Sequence, residues 1–216
     1  MSGYIIYVGD TETTGIDPES HDVIEISLCR FTMDSPDDRD HRTWYLKALN
    51  PMTIQEEALR INGHKREDII HFTKIGKEKY QMPADVVLDI ENWIMEDDVS
   101  VMDRMLVGQN IEFDIKFLME LWKRVDAPDT FPWDVGRGKR SLDTQGICNF
   151  IDLCTGRRRR YTNLGTLVKA FGVKKRKAHR AEDDVAMTTD LLIKMLTPLV
   201  PVAAEAFGDC YTDLDQ

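Results

Sequence analysis

Apolar and polar positions change their period several times along the 216 residues. Ile5–Asp10 and Val23–Phe31 are β-branched, apolar runs of strand length. Thr13-Thr14-Gly15-Ile16-Asp17-Pro18 between them has strong turn chemistry. A third strand is expected over Thr43–Leu46, the three forming a meander. The pattern then turns helical. Thr53 to Ile61 reads as a short helix, with Thr53 as N-cap and Glu56 completing a capping box. Pro83 to Glu96 sets Val86, Val87, Ile90, Trp93 and Ile94 at helical spacing behind a proline suited to a first turn. Leu106-Val107-Gly108 reads as a short buried strand and Ile111 to Val125 as helix. Later helices are expected over Thr144–Cys154, over Asn163–Phe171 closed by Gly172, and over Ala181–Leu196 stopped by Pro198. Strands first, then helices alternating with short strands, predict a mixed α/β sheet with helices packed against it. No repeat or Gly/Ser linker divides the chain, so one domain is expected.

Composition excludes some classes. With 42% hydrophobic and 31% charged residues the chain is expected to fold rather than remain disordered. Apolar runs such as Tyr4–Val8 are too short to cross a bilayer. The start, Met-Ser-Gly-Tyr, carries no basic stretch followed by an apolar region, so a cytoplasmic location without membrane contact is expected. Cys29, Cys148, Cys154 and Cys210 form no CxxC pair and no zinc-ligand spacing, which suits reduced structural thiols. The net charge of −10 conceals a division. Residues 136–180 hold thirteen Lys/Arg against Asp143 and Asp152, a local +11 that leaves −21 elsewhere. That asymmetry suits either an anion-attracting face or solvated basic loops.

Three acidic constellations stand out. Asp10 and Glu12 close the first strand, and residues two apart in a strand share a face. Carboxylates held that close repel unless a cation lies between them, and a hard ion such as Mg²⁺ prefers such oxygen ligands. Alone, an Asp-x-Glu is far more often a solvated strand-edge pair. In Gly108-Gln109-Asn110-Ile111-Glu112-Phe113-Asp114 a strand runs into a helix. There Glu112 meets Lys116 four residues on, whereas Asp114 lies on an apolar stripe with Phe117, Leu118 and Leu121. A carboxylate on that stripe needs a partner, either a metal or a buried hydrogen bond. The third is His179-Arg180-Ala181-Glu182-Asp183-Asp184, at the start of a helix. Asp184 shares a face with Ala181, Thr188, Leu191 and Met195, while Asp183 aligns with Met187, Asp190 and Lys194. The second stripe is expected to face solvent, which makes Asp184 the ligand and Asp183 a helix N-terminal charge. His179 lies within reach of whatever Asp184 binds.

Together, Asp10-Thr-Glu-Thr-Thr-Gly15, Asn110-x-x-Phe113-Asp114 and His179-x-Ala181-x-x-Asp184 resemble the three motifs of the DnaQ-like DEDDh 3′→5′ exonucleases. That family includes polymerase proofreading subunits, ribonuclease T and oligoribonucleases. The resemblance implies a ribonuclease H-like α/β fold, a mixed five-stranded sheet flanked by helices, with an exonuclease domain over 1–196 and a C-terminal tail over 197–216 that packs or contacts a partner. It implies two Mg²⁺ or Mn²⁺ ions, one held by Asp10, Glu12 and Asp184, the other by Asp10 with Asp114. Paired ions of this kind stabilise the attacking and leaving oxygens of an in-line displacement. His179 would be the general base, since an imidazole titrates at about 6.5. Backbone groups of Thr11, Thr13 and Thr14 would receive the terminal nucleotide, with Ile61 and Phe113 against its base and Asn110 in the same motif. Asn62 stands where the family commonly has histidine in a groove-lining segment. The products would be nucleoside 5′-monophosphates from 3′ ends of single-stranded DNA or RNA, with Arg157–Arg160 and Lys174–Arg180 tracking the phosphates. DNA is favoured, with a polymerase as partner in proofreading. RNA trimming or oligoribonuclease activity is the alternative, followed by a non-catalytic module that binds nucleic acid or a polymerase and an endonuclease of the ribonuclease H type.

Overall fold

Alternation along the first strand decides how the layers form. In the computed structural model, which describes residues 4–135 and 140–207, β1 (Ile5–Thr13) is the middle strand of five. Ile6 and Val8 point to one face, where they pack with Cys29, Phe31, Val107, Val185 and Leu192. Tyr7 points to the other and packs with Leu28, Trp44, Ile90, Trp93, Phe117 and Trp122. A strand buried on both faces reads as a continuous apolar run, as this one does.

β2 (Val23–Thr32) and β3 (Ser35–Tyr45) continue antiparallel on one side of β1. β4 (Arg104–Gly108) and β5 (Ser141–Asp143) add in parallel on the other, giving the order β3-β2-β1-β4-β5. The short helices α1 (Glu56–Asn62), α2 (Arg66–Ile69) and α3 (Lys74–Lys79) link the meander to α4 (Pro83–Met95). α4 and α5 (Ile111–Arg124) cover the Tyr7 face. After β5 follow α6 (Thr144–Thr155), α7 (Leu164–Ala170) and α8 (Ala181–Leu196), and α8 covers the Ile6 face across β1 and β2. This is the mixed five-stranded α/β sheet with flanking helices that was expected. Among the described residues no helix is long and apolar enough to cross a membrane.

Several boundaries differ from expectation. β3 begins at Ser35, because pairing with β2 carries a polar, half-exposed segment into the sheet. Thr53 caps no helix: α1 starts at Glu56 after Gln55, and the Thr53 hydroxyl closes a turn onto the Asn50 carbonyl at 3.1 Å. α2, α3 and β5 had no periodic signal. In the expected tail, α9 (Leu199–Phe207) follows α8, while 208–216 lie outside the described residues, as do Arg137 and Lys139 of the basic stretch. So does Cys210; Cys29 and Cys148 are buried free thiols and Cys154 is an exposed one.

Candidate active site

The same alternation sets the carboxylates. Asp10 and Glu12 share parity with Ile6 and Val8, so they project from the end of β1 on the α8 face. There they meet the first turn of α8. One oxygen from each of Asp10, Glu12 and Asp184 lies within 4.8 Å of the others. Thr11 has the opposite parity and reaches the α5 side. Both its backbone N–H and its hydroxyl donate to Asp114 Oδ1, at 2.9 and 2.7 Å. Asp114 is buried beside Phe117, Leu118 and Leu121, the stripe assigned to it, and stands outside the three-carboxylate group.

Close approach of backbones makes this possible. Gly108 ends β4 against β1, and a Cβ there would lie 2.9 Å from the Gly9 carbonyl oxygen. Asn110 then enters α5 in the left-handed region at φ 60°, which asparagine tolerates better than most residues. Its side chain makes no capping bond and the residue is exposed.

His179 also has left-handed backbone, φ 62°, and its N–H donates to Asp184 Oδ2 at 2.9 Å. The loop residue therefore holds the carboxylate while its own ring stays exposed. Asp184 Oδ1 is buried with no hydrogen-bond partner. Ala181, Thr188, Leu191 and Met195 are all buried, so its helix face is the interior one. Met187, placed on the solvent stripe by period, is buried too, because α7 packs over that flank of α8.

Crowded charge perturbs the whole group. Burial, with the charges of Asp114, Glu12 and Asp184, holds Asp10 well above the usual carboxylate range. Burial and the neighbouring Glu25, then Asp184 and Asp114, push Glu12 up to about 8. Burial raises Asp114 and Asp184 as well, against the bonds from Thr11 and from His179 N–H. An all-oxygen donor set, mutual repulsion and an unpartnered Oδ1 fit a hard divalent cation.

Other expected contacts are already committed within the protein. Thr11 N–H serves Asp114; the Thr13 carbonyl accepts from Asn62 Nδ2 at 3.1 Å; Thr14 N–H and carbonyl pair with Asp22 O and Gln55 N–H, each at 2.8 Å. The Thr13 hydroxyl donates to Gly15 O and the Thr14 hydroxyl accepts from Asp22 N–H. These threonines and the buried Asn62 thus build the turn beneath the site. Ile61 is 48% exposed, and Phe113 is half-buried with its ring 4.8 Å from that of Phe117. In the basic run Arg159 is bound to Asp152 and lies 5.1 Å over the Phe171 ring, leaving Arg157, Arg158 and Arg160 exposed.

Sequence reasoning passed over Glu25 and His64. Glu25 lies opposite Glu12 in the β1–β2 register, 3% exposed, and accepts from His64 Nε2 at 2.8 Å. A lone charge between Ile24 and Ile26 was the available signal.

Residues 7–192 match the model of the RNase_T family, described as exonuclease. DNA polymerase III subunit epsilon of Treponema pallidum (strain Nichols) is 24% identical over 190 residues, covering 87% of this chain and 74% of that one. Exonuclease I of Methylocaldum szegediense superposes with a TM-score of 0.71 at 17% identity, over 95% of this chain and 43% of its own. Exonuclease I of E. coli with a dT13 oligonucleotide gives 0.71 at 18%, over 94% and 44%. These structures share the fold, and this chain spans less than half the length of each.

Proposed function

Since the chain belongs to the RNase_T exonuclease family, we propose that it removes nucleoside 5′-monophosphates one at a time from the 3′ end of single-stranded nucleic acid, DNA in preference to RNA. The observation that carries this reading is the convergence of Asp10, Glu12 and Asp184 oxygens within 4.8 Å, drawn from a strand end and a helix start far apart in sequence. The choice of DNA rests on the relatives: a DNA polymerase subunit and an exonuclease I bound to dT13.

Asp10, Glu12 and Asp184 would hold one Mg²⁺ or Mn²⁺ ion, and Asp10 with Asp114 a second. When bound, such ions polarise the scissile phosphate and stabilise charge on the attacking and leaving oxygens. His179 takes the proton from the attacking water, its loop fixed by the N–H bond to Asp184. Ile61 and Phe113 offer apolar surface to the terminal base, and Asn110 borders the same site; aromatic stacking contributes about 1–3 kcal/mol without reading sequence. A cleft of about 230 Å³ is lined by Lys65, Lys79, Lys177 and Arg180 together with Glu25 and Asn62. Cations so placed suit the phosphates of an approaching strand. A DNA polymerase is the partner this reading favours.

The test is a time course on matched 3′-labelled strands of DNA and RNA, with Mg²⁺, with Mn²⁺ and with chelator. Mononucleotides from the outset, only with metal and faster on DNA, are expected. Longer first products would mean endonuclease cutting, and faster RNA digestion would reverse the substrate preference.

A further inference from the structure

Glu25 has no part in the scheme above, yet it is among the most buried charged groups in the molecule. Its strand position shares parity with Cys29 and Phe31, so it lies on the α8 face with Asp10 and Glu12. Register sets it directly across from Glu12 on one side and Tyr45 on the other. Residues so paired have Cβ atoms about 4.5–5.5 Å apart.

Its two oxygens differ. Oε2 accepts from His64 Nε2 at 2.8 Å, and His64 Nδ1 lies 2.7 Å from the Tyr80 hydroxyl. The imidazole is thus fixed at both nitrogens, with its ring 5.7 Å from that of Tyr80 and 6.2 Å from that of Tyr45. Oε1 is buried and has no hydrogen-bond partner. A structural carboxylate sealed in a core normally satisfies both oxygens, because each unmet one costs about 1–3 kcal/mol. The register thus sets the Glu25 carboxylate beside Glu12, on the face that also carries Asp10. That charge adds to the repulsion among Asp10, Glu12 and Asp184, which a bound cation would relieve.

We propose that Glu25 is a fifth carboxylate of the metal centre, a positioning residue whose charge strengthens cation binding at Glu12 and whose orientation is set by the His64–Tyr80 bracket. It rests on the metal-dependent reading of the site. His64 is then a functional residue too, acting through Glu25. Partners that orient metal ligands typically change affinity about 10–100-fold when altered.

The experiment is Mn²⁺ titration of the full chain by calorimetry, with electron paramagnetic resonance of the bound ion and no nucleic acid present. Glu25→Gln keeps an acceptor for His64 and removes the charge; about tenfold weaker Mn²⁺ binding is expected, with unchanged circular dichroism. His64→Ala leaves the charge and removes the bracket; a smaller loss and a broadened Mn²⁺ signal are expected. Affinity within twofold of wild type in Glu25→Gln overturns the proposal, as does an unaltered signal in His64→Ala. Should Glu25→Gln not fold, His64→Ala alone decides. Failure of the wild-type chain to bind Mn²⁺ would instead overturn the metal-dependent reading itself.

Discussion

Replacing Glu12 by Gln should stabilise the metal-free protein, and the size of the gain follows from its surroundings. The Glu12 carboxyl rises from 4.5 in the unfolded chain to about 8 in the folded one. An acid raised on folding adds no penalty below pH 4.5. The penalty grows as pH climbs between the two values and is complete above 8. At about 1.36 kcal/mol per pH unit it reaches about 3 kcal/mol at pH 7. Glu12 is only half-buried, and solvent screening reduces this to about 1–2 kcal/mol. For a chain of this length that is a rise in Tm of about 2–8 °C. The assay is thermal unfolding of both proteins with chelator from pH 4.5 to 8. The two should melt together at pH 4.5 and separate progressively, with Glu12→Gln the more stable. Mn²⁺ should then raise the wild type more than the variant and narrow the gap. A gap that stays flat with pH, or a wild type more stable than the variant at pH 8 without metal, would refute the reasoning.

Other expectations are more direct. Asp10→Asn and Asp114→Asn should each abolish mononucleotide release while the protein stays folded, since Asn at 114 still accepts from Thr11; undiminished digestion by either would be fatal to the site assignment. His179→Ala should retain a trace of activity, reduced about 10²–10⁴-fold in kcat as for loss of a general base, with Mn²⁺ affinity little changed because the N–H bond to Asp184 is backbone. Changing Arg157, Arg158 and Arg160 together to Ser should weaken single-strand binding and lower the log–log salt slope by up to about 2; an unchanged slope would remove these arginines from the strand path. Gly108→Ala forces a Cβ against the Gly9 carbonyl, and calorimetry should find about 1–3 kcal/mol lost.

What was legible in the sequence was whatever has a local period. β1, β2, α4, α5 and α8 announce themselves by spacing, and the same spacing selected Asp184 over Asp183 and Asp114 over Glu112. Glu112 does lie outside, paired with Lys116 at 3.0 Å. β5 was missed because its three residues are a strand by pairing with β4, and a partner strand leaves no trace in so short a segment. α2 and α3, four and six residues long, are too short to show an amphipathic pattern. Met187 was misplaced since α7, a segment elsewhere in the chain, covers it through Leu167 and Val168. Glu25 needed knowledge of register, and the commitment of Thr11 needed Asp114, 103 residues away. In each case the missing information was which distant segment arrives, and that is decided by the whole fold.

The two-faced reading of β1 has a consequence for how the sheet comes together. Were β1 to pair one residue out of step, Asp10 and Glu12 would exchange places with Thr11 and Thr13 and enter the layer of Tyr7, Trp93 and Phe117. Two carboxylates would then be stranded among aromatic rings, beyond the reach of Asp184 and of any ion. The misaligned sheet is thereby made costly by the very groups that equip the site. Selection on catalysis at this strand end is also selection for correct assembly, so the chain cannot drift in alignment and keep a competent centre.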